Sequence, residues 1–411
     1  MKCGVLGRKL GHSYSPQIHK HLGDYEFHIF EREPEELVDF LRNGDFTGTN
    51  VTIPYKKDVI PNLDEISPIV QKLGAVNIIV RRNGKLIGHN SDHFGFKSMV
   101  EQSGLSPAGK KCLVLGNGGA SVTVQSVLKD FGAEVVVISR SGENHYGNLH
   151  LHKDAAIIVN TTPLGMYPHT GEAPLDVAAF PNLEGVLDIV YNPARTQIML
   201  DAEKLGIPSM NGLWMLVAQA KEAAEWFMNT TLPDEKIGEI YEILRRQMEN
   251  IILIGMPGCG KSTVGKLLAK KTGKRFVDVD EKIVELAGKS IPEIFTEDGE
   301  EAFRNWETQA LEELGKQSGL VIATGGGCVT KERNYPLLHQ NGTIFYLQRD
   351  LDKLPTHGRP LSQNNDLNKM FHIRRPMYEA FADHVIDNNS TIDSAVQKIL
   401  DCHTSVRTGS Q

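Results

Sequence analysis

The stretch NIILIGMPGCGKSTVGKLL, from Asn250 to Leu268, constrains this chain more than any other. A run of strand length, a glycine-rich loop and a helix-period run follow one another directly. Gly255 to Ser262 fit the spacing G-x-x-x-x-G-K-[ST]. Such glycines let backbone N–H groups turn inward, and the following helix adds the positive end of its dipole, so the loop is built to hold phosphate. Gly258, Cys259, Gly260, Lys261, Ser262 and Thr263 are therefore the expected ATP contacts. Lys261 is expected at the β- and γ-phosphates and the Ser262 hydroxyl on Mg²⁺. The loop begins about three-fifths of the way along a chain of 411 residues. That leaves room for at least one complete domain before it.

Composition narrows the classes. Hydrophobic content of 40% and charged content of 23% are those of an ordinary globular chain, and the net charge of −7 argues against a nucleic-acid binder. Five scattered cysteines without a C-x-x-C pair fit free thiols in a reducing compartment. No signal-peptide pattern or membrane-length apolar run is visible, so a cytoplasmic protein acting on small molecules is expected. The triplets HKH (His19–His21) and HLH (His150–His152) lack the spacing of a zinc motif and are expected at the surface. Oligomeric state is not legible.

Past the loop, FVDVD sets Asp278 and Asp280 two apart, which on a strand puts both carboxylates on one face. One could hold Mg²⁺ through water and the other a nucleophilic hydroxyl; alternatively, both cap the next helix. Arg304 follows in a helical stretch, and Gly325, Gly326 and Gly327 follow the apolar run LVIAT, as close backbone approach to a ligand or a simple tight turn would require. Arg359 lies in a polar stretch suited to a lid, and Arg374 in IRRPMYEAFA.

Before the loop, KCLVLG, EVVVIS, AAIIVNTT and GVLDIV alternate with helical stretches, the pattern of a parallel sheet covered on both faces. Gly116, Gly118, Gly119 and Ala120 form a glycine turn between strand and helix, with Ser121 where a dinucleotide fingerprint has its third glycine. Ser139, Arg140 and Ser141 end the next strand. An arginine there, in place of an acidic residue, suits a 2′-phosphate and favours NADP(H) over NAD(H). Residues 1–95 are mixed α/β, with a hairpin turning at Asn83-Gly84. Three polar pairs recur at i, i+2, a spacing that on extended backbone turns both members of a pair to one face: Ser13/Ser15, Asn50/Thr52 and Asn90/Asp92. Lys56 and Asn77 lie nearby in the sequence. Singly each is more simply a turn or cap residue; together with a dinucleotide loop they suggest a substrate site.

The second part resembles shikimate kinase over essentially its whole length, carried by GMPGCGKST, FVDVD, EAFRNWE, ATGGGCV, GRPLS and RRPMY in order. The resemblance implies that Asp280, Arg304, Arg374 and Gly325–Gly327 bind shikimate. It also implies that Asp280 holds the attacking hydroxyl, that Asp278 helps position Mg²⁺, and that Lys261 and Arg359 neutralise the transferred phosphoryl group. The stretch from Leu354 to Met370 is short for a lid, without a counterpart of the arginine that stacks on adenine in some members.

The first part resembles shikimate dehydrogenase through GHSYSP, NVTIPYK, GAVN, GHNSD, GNGGAS, NTTPLGM, DIVYNPART and GLWMLVAQA. This resemblance implies Lys56 and Asp92 as the catalytic pair, with Ser13, Ser15, Thr52, Asn77, Asn90 and Gln219 hydrogen-bonding the substrate. Ser139-Arg140-Ser141 stands where members often have Asn-Arg-Thr, and His93 where glycine is common. The expected organisation is a mixed α/β substrate domain (residues 1–95 and 210–248), a Rossmann-type NADP domain (96–209), a P-loop kinase domain (249–402) and a disordered tail (403–411). Two rivals stand beside a bifunctional enzyme: a dehydrogenase with a P-loop sensing module, and a dehydrogenase selective for quinate.

Overall fold

The computed structural model describes residues 1–11, 13–354 and 367–404. The chain divides into two compact units. One comprises Met1–Pro163, Pro174–Tyr191 and Asp201–Ile243; the other comprises Leu164–Ala173, Asn192–Leu200 and Leu244–Gln411. Both are α/β, as the alternation of apolar strands and helices requires.

The first unit holds two sheets. Strands β1 (Lys2–Gly7), β2 (Glu26–Glu31), β3 (Gly48–Val51), β4 (Glu65–Ile66), β5 (Ile78–Arg82) and β6 (Lys85–His89) form a mixed sheet in the order β2-β1-β3-β5-β6-β4. β5 and β6 are the expected hairpin, with Asn83 and Gly84 both at positive φ (50° and 78°). That is the two-residue turn whose twist matches the strands it joins. Helices α1 (Ser15–His19), α2 (Leu37–Asn43) and α3 (Pro68–Leu73) lie among these strands in the sequence.

The long helix α4 (Asp92–Ser103) then leads to a parallel sheet. Its strands are β7 (Lys111–Leu115), β8 (Glu134–Ile138), β9 (Ile157–Asn160), β10 (Gly185–Asp188) and β11 (Ser209–Asn211), in the order β11-β10-β9-β7-β8. Helix α5 (Gly119–Asp130) crosses from β7 to β8, and α6 (Gln197–Lys204) from β10 to β11. β9 and β10 are buried at every residue; their apolar runs end in Asn160 and Asp188, which satisfy each other through an Asn160 Nδ2 to Asp188 Oδ1 hydrogen bond of 3.0 Å. Helix α7 (Leu213–Met228) packs on α4, and their close approach needs Gly95. A Cβ there would stand 2.8 Å from the Met215 carbonyl oxygen.

Helix α8 (Glu235–Met248) runs into β12 (Asn250–Ile254). The second unit's sheet contains β12, β13 (Arg275–Asp278), β14 (Leu320–Ala323), β15 (Gly342–Gln348) and β16 (His384–Asp387), all parallel, in the order β13-β14-β12-β15-β16. Around it lie α9 (Lys261–Thr272), α10 (Val279–Ala287), the single turn α11 (Ile291–Glu293), α12 (Gly299–Gly315), α13 (Asn334–His339), α14 (Leu367–Phe381) and α15 (Ile392–Thr404). The last helix includes His403 and Thr404, which the expected tail had claimed. Among the described residues no helix is long and apolar enough to cross a membrane, and all five cysteines are free thiols.

The surface expectation fails for His19. His19 is not at the surface: it is 1% exposed, stacked 4.1 Å from Phe27 and 5.6 Å from Phe227, with Nδ1 2.5 Å from the Tyr25 hydroxyl. Polarity suggested the surface; the aromatic slot between strand and helix overrides it. Burial drives its pKa down to about 3. A folded value below the unfolded one means that the unfolded chain binds the extra proton between about pH 6.5 and 3, so stability falls as pH falls through that window. At pH 5 the expected cost to the first unit is about 2 kcal/mol, at roughly 1.4 kcal/mol per pH unit. Urea unfolding of wild type and His19→Phe at pH 7 and 5 measures it. Equal pH sensitivity in both would contradict the assignment.

Candidate functional site

In the first unit, the polar residues of four separated motifs converge beside the start of α4. Lys56 Nζ donates to Asp92 Oδ2 at 2.5 Å, and the pair is partly sheltered from water. Asn77 Nδ2 donates to Asp92 Oδ1 at 3.0 Å, to Ser91 Oγ at 3.1 Å and to Gln219 Oε1 at 3.4 Å, while Asn77 Oδ1 accepts from the Ser91 backbone. Gln219 reaches this group from α7 because Gly95 lets that helix lie against α4. Asn90, buried, donates to the Ala75 carbonyl and aligns the start of α4 through the His93 N–H. Thr52 and Ser13 are partly buried, and Ser13 Oγ accepts from the Ser15 N–H.

The i, i+2 reasoning about facing pairs holds only in part. Asn50 is the third residue of β3, but Ser15 opens α1 and Asp92 opens α4. Strand periodicity stops at those helix starts. Asp92 meets Lys56 because it occupies the first turn of α4.

The expected NADP residues occupy the C-terminal edge of the parallel sheet. Gly116 has φ +102°, and a Cβ on it would stand 3.0 Å from Thr162. Gly118 is the N-cap of α5, with Gly119 and Ala120 in its first turn and no side-chain cap. The helix N-terminus therefore offers backbone N–H groups to a phosphate. Arg140 is exposed just beyond β8, and Ser139 Oγ donates to the Ser141 carbonyl, closing the turn around it.

Sequence reasoning missed the surroundings of this site. His93 Nε2 lies 3.0 Å from Asp130 Oδ2 at the end of α5, and the same carboxylate takes Lys72 from α3 at 2.6 and 2.7 Å. The Lys72 ammonium holds the Asp130 carboxyl below the usual range, against slight desolvation and with help from His93. Tyr191 meets Tyr14 edge to face at 6.0 Å.

In the second unit, a cavity of about 740 Å³ opens above the C-terminal ends of the strands. Its lining includes the P-loop, Asp278, Asp280, Arg304, Gly325–Gly327 and Arg374. Gly255, Gly258 and Gly260 have φ of 142°, 87° and 100°, which only glycine adopts without strain. Lys261 Nζ donates to the Gly255 and Met256 carbonyls at 2.8 and 3.1 Å. The Ser262 hydroxyl donates to Asp278 Oδ2 at 2.7 Å.

The two aspartates do not share a strand face. Asp278 ends β13 and caps α10, accepting from the Asp280 N–H at 3.1 Å, while Asp280 lies in that helix. A helix start intervenes, as in the first unit, so the capping alternative holds for Asp278 while its other oxygen remains on Ser262.

The three glycines are there for close approach. A Cβ on Gly327 would stand 2.3 Å from both terminal nitrogens of Arg304, and one on Gly325 would stand 3.4 Å from Asp280 Oδ1 and 2.5 Å from Glu307 Oε1. Arg374 Nη1 and the Tyr378 hydroxyl both donate to the Gly326 carbonyl. Arg359 lies outside the described residues. Glu307 is the residue the sequence did not reveal. It is fully buried on α12 and accepts from Arg304 Nη1 at 2.8 Å. Burial pushes its carboxyl up, opposed by the Arg304 guanidinium. An i, i+3 charge pair is common on any helix, so only the burial marks this one as holding Arg304 in place.

Two families account for this geometry. Residues 5–79 match the family model of the shikimate dehydrogenase substrate binding domain. The shikimate dehydrogenase (NADP(+)) of Clostridium perfringens strain 13 is 34% identical over 264 residues, which span 59% of this chain and 97% of that protein. The chain belongs to the shikimate dehydrogenase family. Its second part carries a shikimate kinase domain, with residues 257–404 matching that family model.

Solved structures extend the dehydrogenase likeness. A chorismate mutase/shikimate 5-dehydrogenase fusion protein from Clostridium acetobutylicum is 35% identical with a TM-score of 0.57, covering 59% of this chain and 96% of its own. Shikimate 5-dehydrogenase from Thermus thermophilus, solved with NADP(H) and shikimate, is 28% identical with a TM-score of 0.54, covering 59% and 99%.

Proposed function

We propose that this chain performs two consecutive reactions: NADPH-dependent reduction of 3-dehydroshikimate to shikimate, then MgATP-dependent phosphorylation of shikimate to shikimate 3-phosphate. The observation that carries it is the coexistence of the Lys56–Asp92 pair in one unit with the Lys261, Asp280 and Arg304 cluster in the other. Dehydrogenase relatives named for NADP(+) support the first half, and the kinase family match supports the second. In this reading residues 1–95 and 210–248 bind the first substrate, residues 96–209 bind NADP(H), and residues 249–402 are the kinase.

Bound NADPH supplies the hydride that reaches the substrate ketone. The chain supplies the proton. As charge develops on the ketone oxygen, the Lys56 ammonium, held by Asp92, donates to it and leaves the hydroxyl of shikimate. Ser13, Ser15, Thr52, Asn77, Asn90 and Gln219 orient the ring through its carboxylate and hydroxyls. Gly116, Gly118, Gly119 and Ala120 receive the dinucleotide phosphates, and Ser139, Arg140 and Ser141 the 2′-phosphate.

In the kinase half, Arg304 and Arg374 grip the shikimate carboxylate with charge-assisted bonds. Asp280 accepts the proton of the attacking hydroxyl while its oxygen bonds to the terminal phosphorus and the bond to ADP breaks. Lys261, with Arg359, neutralises charge on the moving group, and the amides of residues 258–263 hold the other phosphates. Ser262 and Asp278 offer the hard oxygen donors that fit Mg²⁺, which supplies charge neutralisation when bound.

Specificity tests this reading against the quinate alternative. Steady-state oxidation is expected to favour shikimate over quinate and NADP⁺ over NAD⁺, with Arg140→Ala narrowing the cofactor preference by about tenfold or more, as loss of a charged phosphate contact implies. Equal use of quinate and shikimate would contradict the substrate assignment. The cytoplasm is the compartment that suits small-molecule substrates and free thiols.

A further inference from the structure

The arrangement of cations around the second unit's cavity goes beyond the assigned residues. β12, which carries the P-loop, is central in the order β13-β14-β12-β15-β16. Every acceptor-side group assigned above from a strand end lies on one side of it: Asp278 and Asp280 follow β13, and Gly325–Gly327 follow β14. Phosphate is held over β12 itself. The nucleoside end of ATP must then extend over the opposite flank, toward the ends of β15 and β16.

Two side chains stand on that flank against the last turn of the loop. From the position a Cβ would take on Gly260, Asn388 Nδ2 is 3.2 Å away and Arg349 Nη1 is 3.8 Å away. Asn388, buried just past β16, donates to the Cys259 carbonyl at 2.6 Å and so braces the loop. Arg349 follows β15 directly and lines the cavity. Among the described residues its enclosed Nε makes no hydrogen bond and its guanidinium enters no ion pair.

The neighbouring charges make this informative. Lys353, also on the cavity rim, is engaged by Asp350 at 3.2 Å, and Asp350 accepts from Asn389 at 3.1 Å as well. On the acceptor side Arg304 is matched by Glu307 and Glu300. Arg349 has no such carboxylate among the described residues, and an enclosed guanidinium donor without a partner is costly unless a ligand supplies the acceptor. We infer that Arg349 is a nucleotide-binding residue whose guanidinium contacts the α-phosphate of ATP, on the side of the loop away from the transferred phosphoryl group. This rests on the kinase reading of the second unit.

Calorimetric titration of the full chain tests it, using MgADP, adenosine and shikimate as separate probes with wild type, Arg349→Gln and Arg349→Lys. Arg349→Gln should weaken MgADP about tenfold or more, the scale of a lost charge-assisted bond. Adenosine and shikimate affinities should stay within about twofold, and Arg349→Lys should recover part of the loss, because it keeps the charge. Unchanged MgADP affinity would overturn the inference. So would an equal loss for adenosine, which would make the contact one to the base, or an equal loss for shikimate, which would make Arg349 a support of the unit's fold. A wild type that binds MgADP but never phosphorylates shikimate would sink the kinase reading and leave this contact standing. A wild type that phosphorylates shikimate, with Arg349→Gln binding MgADP normally, would sink the contact alone.

Discussion

Replacing Lys56 by alanine should lower the rate of NADPH-dependent reduction by about 10²- to 10⁴-fold, the range a positioned proton donor contributes. The ammonium is held at one site by the Asp92 carboxylate, which is itself fixed by Asn77 and by the first turn of α4. Removing it leaves Asp92 beside the substrate without its cation, so the variant loses the proton source and adds a repulsion as the ketone oxygen gains charge. Substrate affinity should change much less than turnover. Kinase activity should be untouched, because Lys56 belongs to the first unit and the phosphate loop to the second. Stopped-flow absorbance of NADPH, with a shikimate phosphorylation assay on the same preparation, reads both. Full reduction by Lys56→Ala would contradict the assignment.

The second large effect is expected at Lys261. Its ammonium is buried beneath the loop, bonded to the Gly255 and Met256 carbonyls, within reach of any phosphate the loop holds. Phosphoryl transfer depends mainly on positioning and charge, so Lys261→Ala should lower shikimate-dependent ATP turnover by about 10³-fold or more. Reduction of 3-dehydroshikimate should proceed at the wild-type rate. A coupled assay for ADP, run with and without shikimate, measures it. Retention of shikimate-dependent turnover would show that this lysine does not face the transferred group. A wild type with no shikimate-dependent turnover would instead support the sensing-module rival.

Much of this architecture is legible from local chemistry. The P-loop, the Asn83-Gly84 hairpin and the parallel sheets follow from glycine conformation and from the spacing of apolar residues, and these signals act over a few residues. What is not legible lies at helix starts and in burial. Ser15, Asp92 and Asp280 each enter a first helical turn directly after a partner expected to share their strand face, and the change of period redirects the side chain. His19 was misplaced because its polarity says nothing about an aromatic slot formed by residues far along the chain. Glu307 and the His93–Asp130–Lys72 cluster depend on tertiary neighbours, so nothing in their own segments distinguishes them from ordinary surface charges.

The triple glycine shows how structure turns an ambiguous signal into an explanation. In the sequence it reads equally as a turn or as an approach to ligand. In the fold, Gly327 makes room for the Arg304 guanidinium, and Gly325 lies against Asp280 and Glu307. A simple turn would require none of these contacts. The glycines therefore shape the floor on which the two arginines and the aspartate meet.

In the proposed function both reactions belong to one chain, and the product of the first is the substrate of the second. Mass spectrometry of a single reaction tests it most directly. Wild-type protein with 3-dehydroshikimate and NADPH should yield shikimate alone, and addition of MgATP should convert that shikimate to shikimate 3-phosphate. Shikimate that persists unphosphorylated with MgATP present would contradict the kinase half. Unreacted 3-dehydroshikimate would contradict the dehydrogenase half.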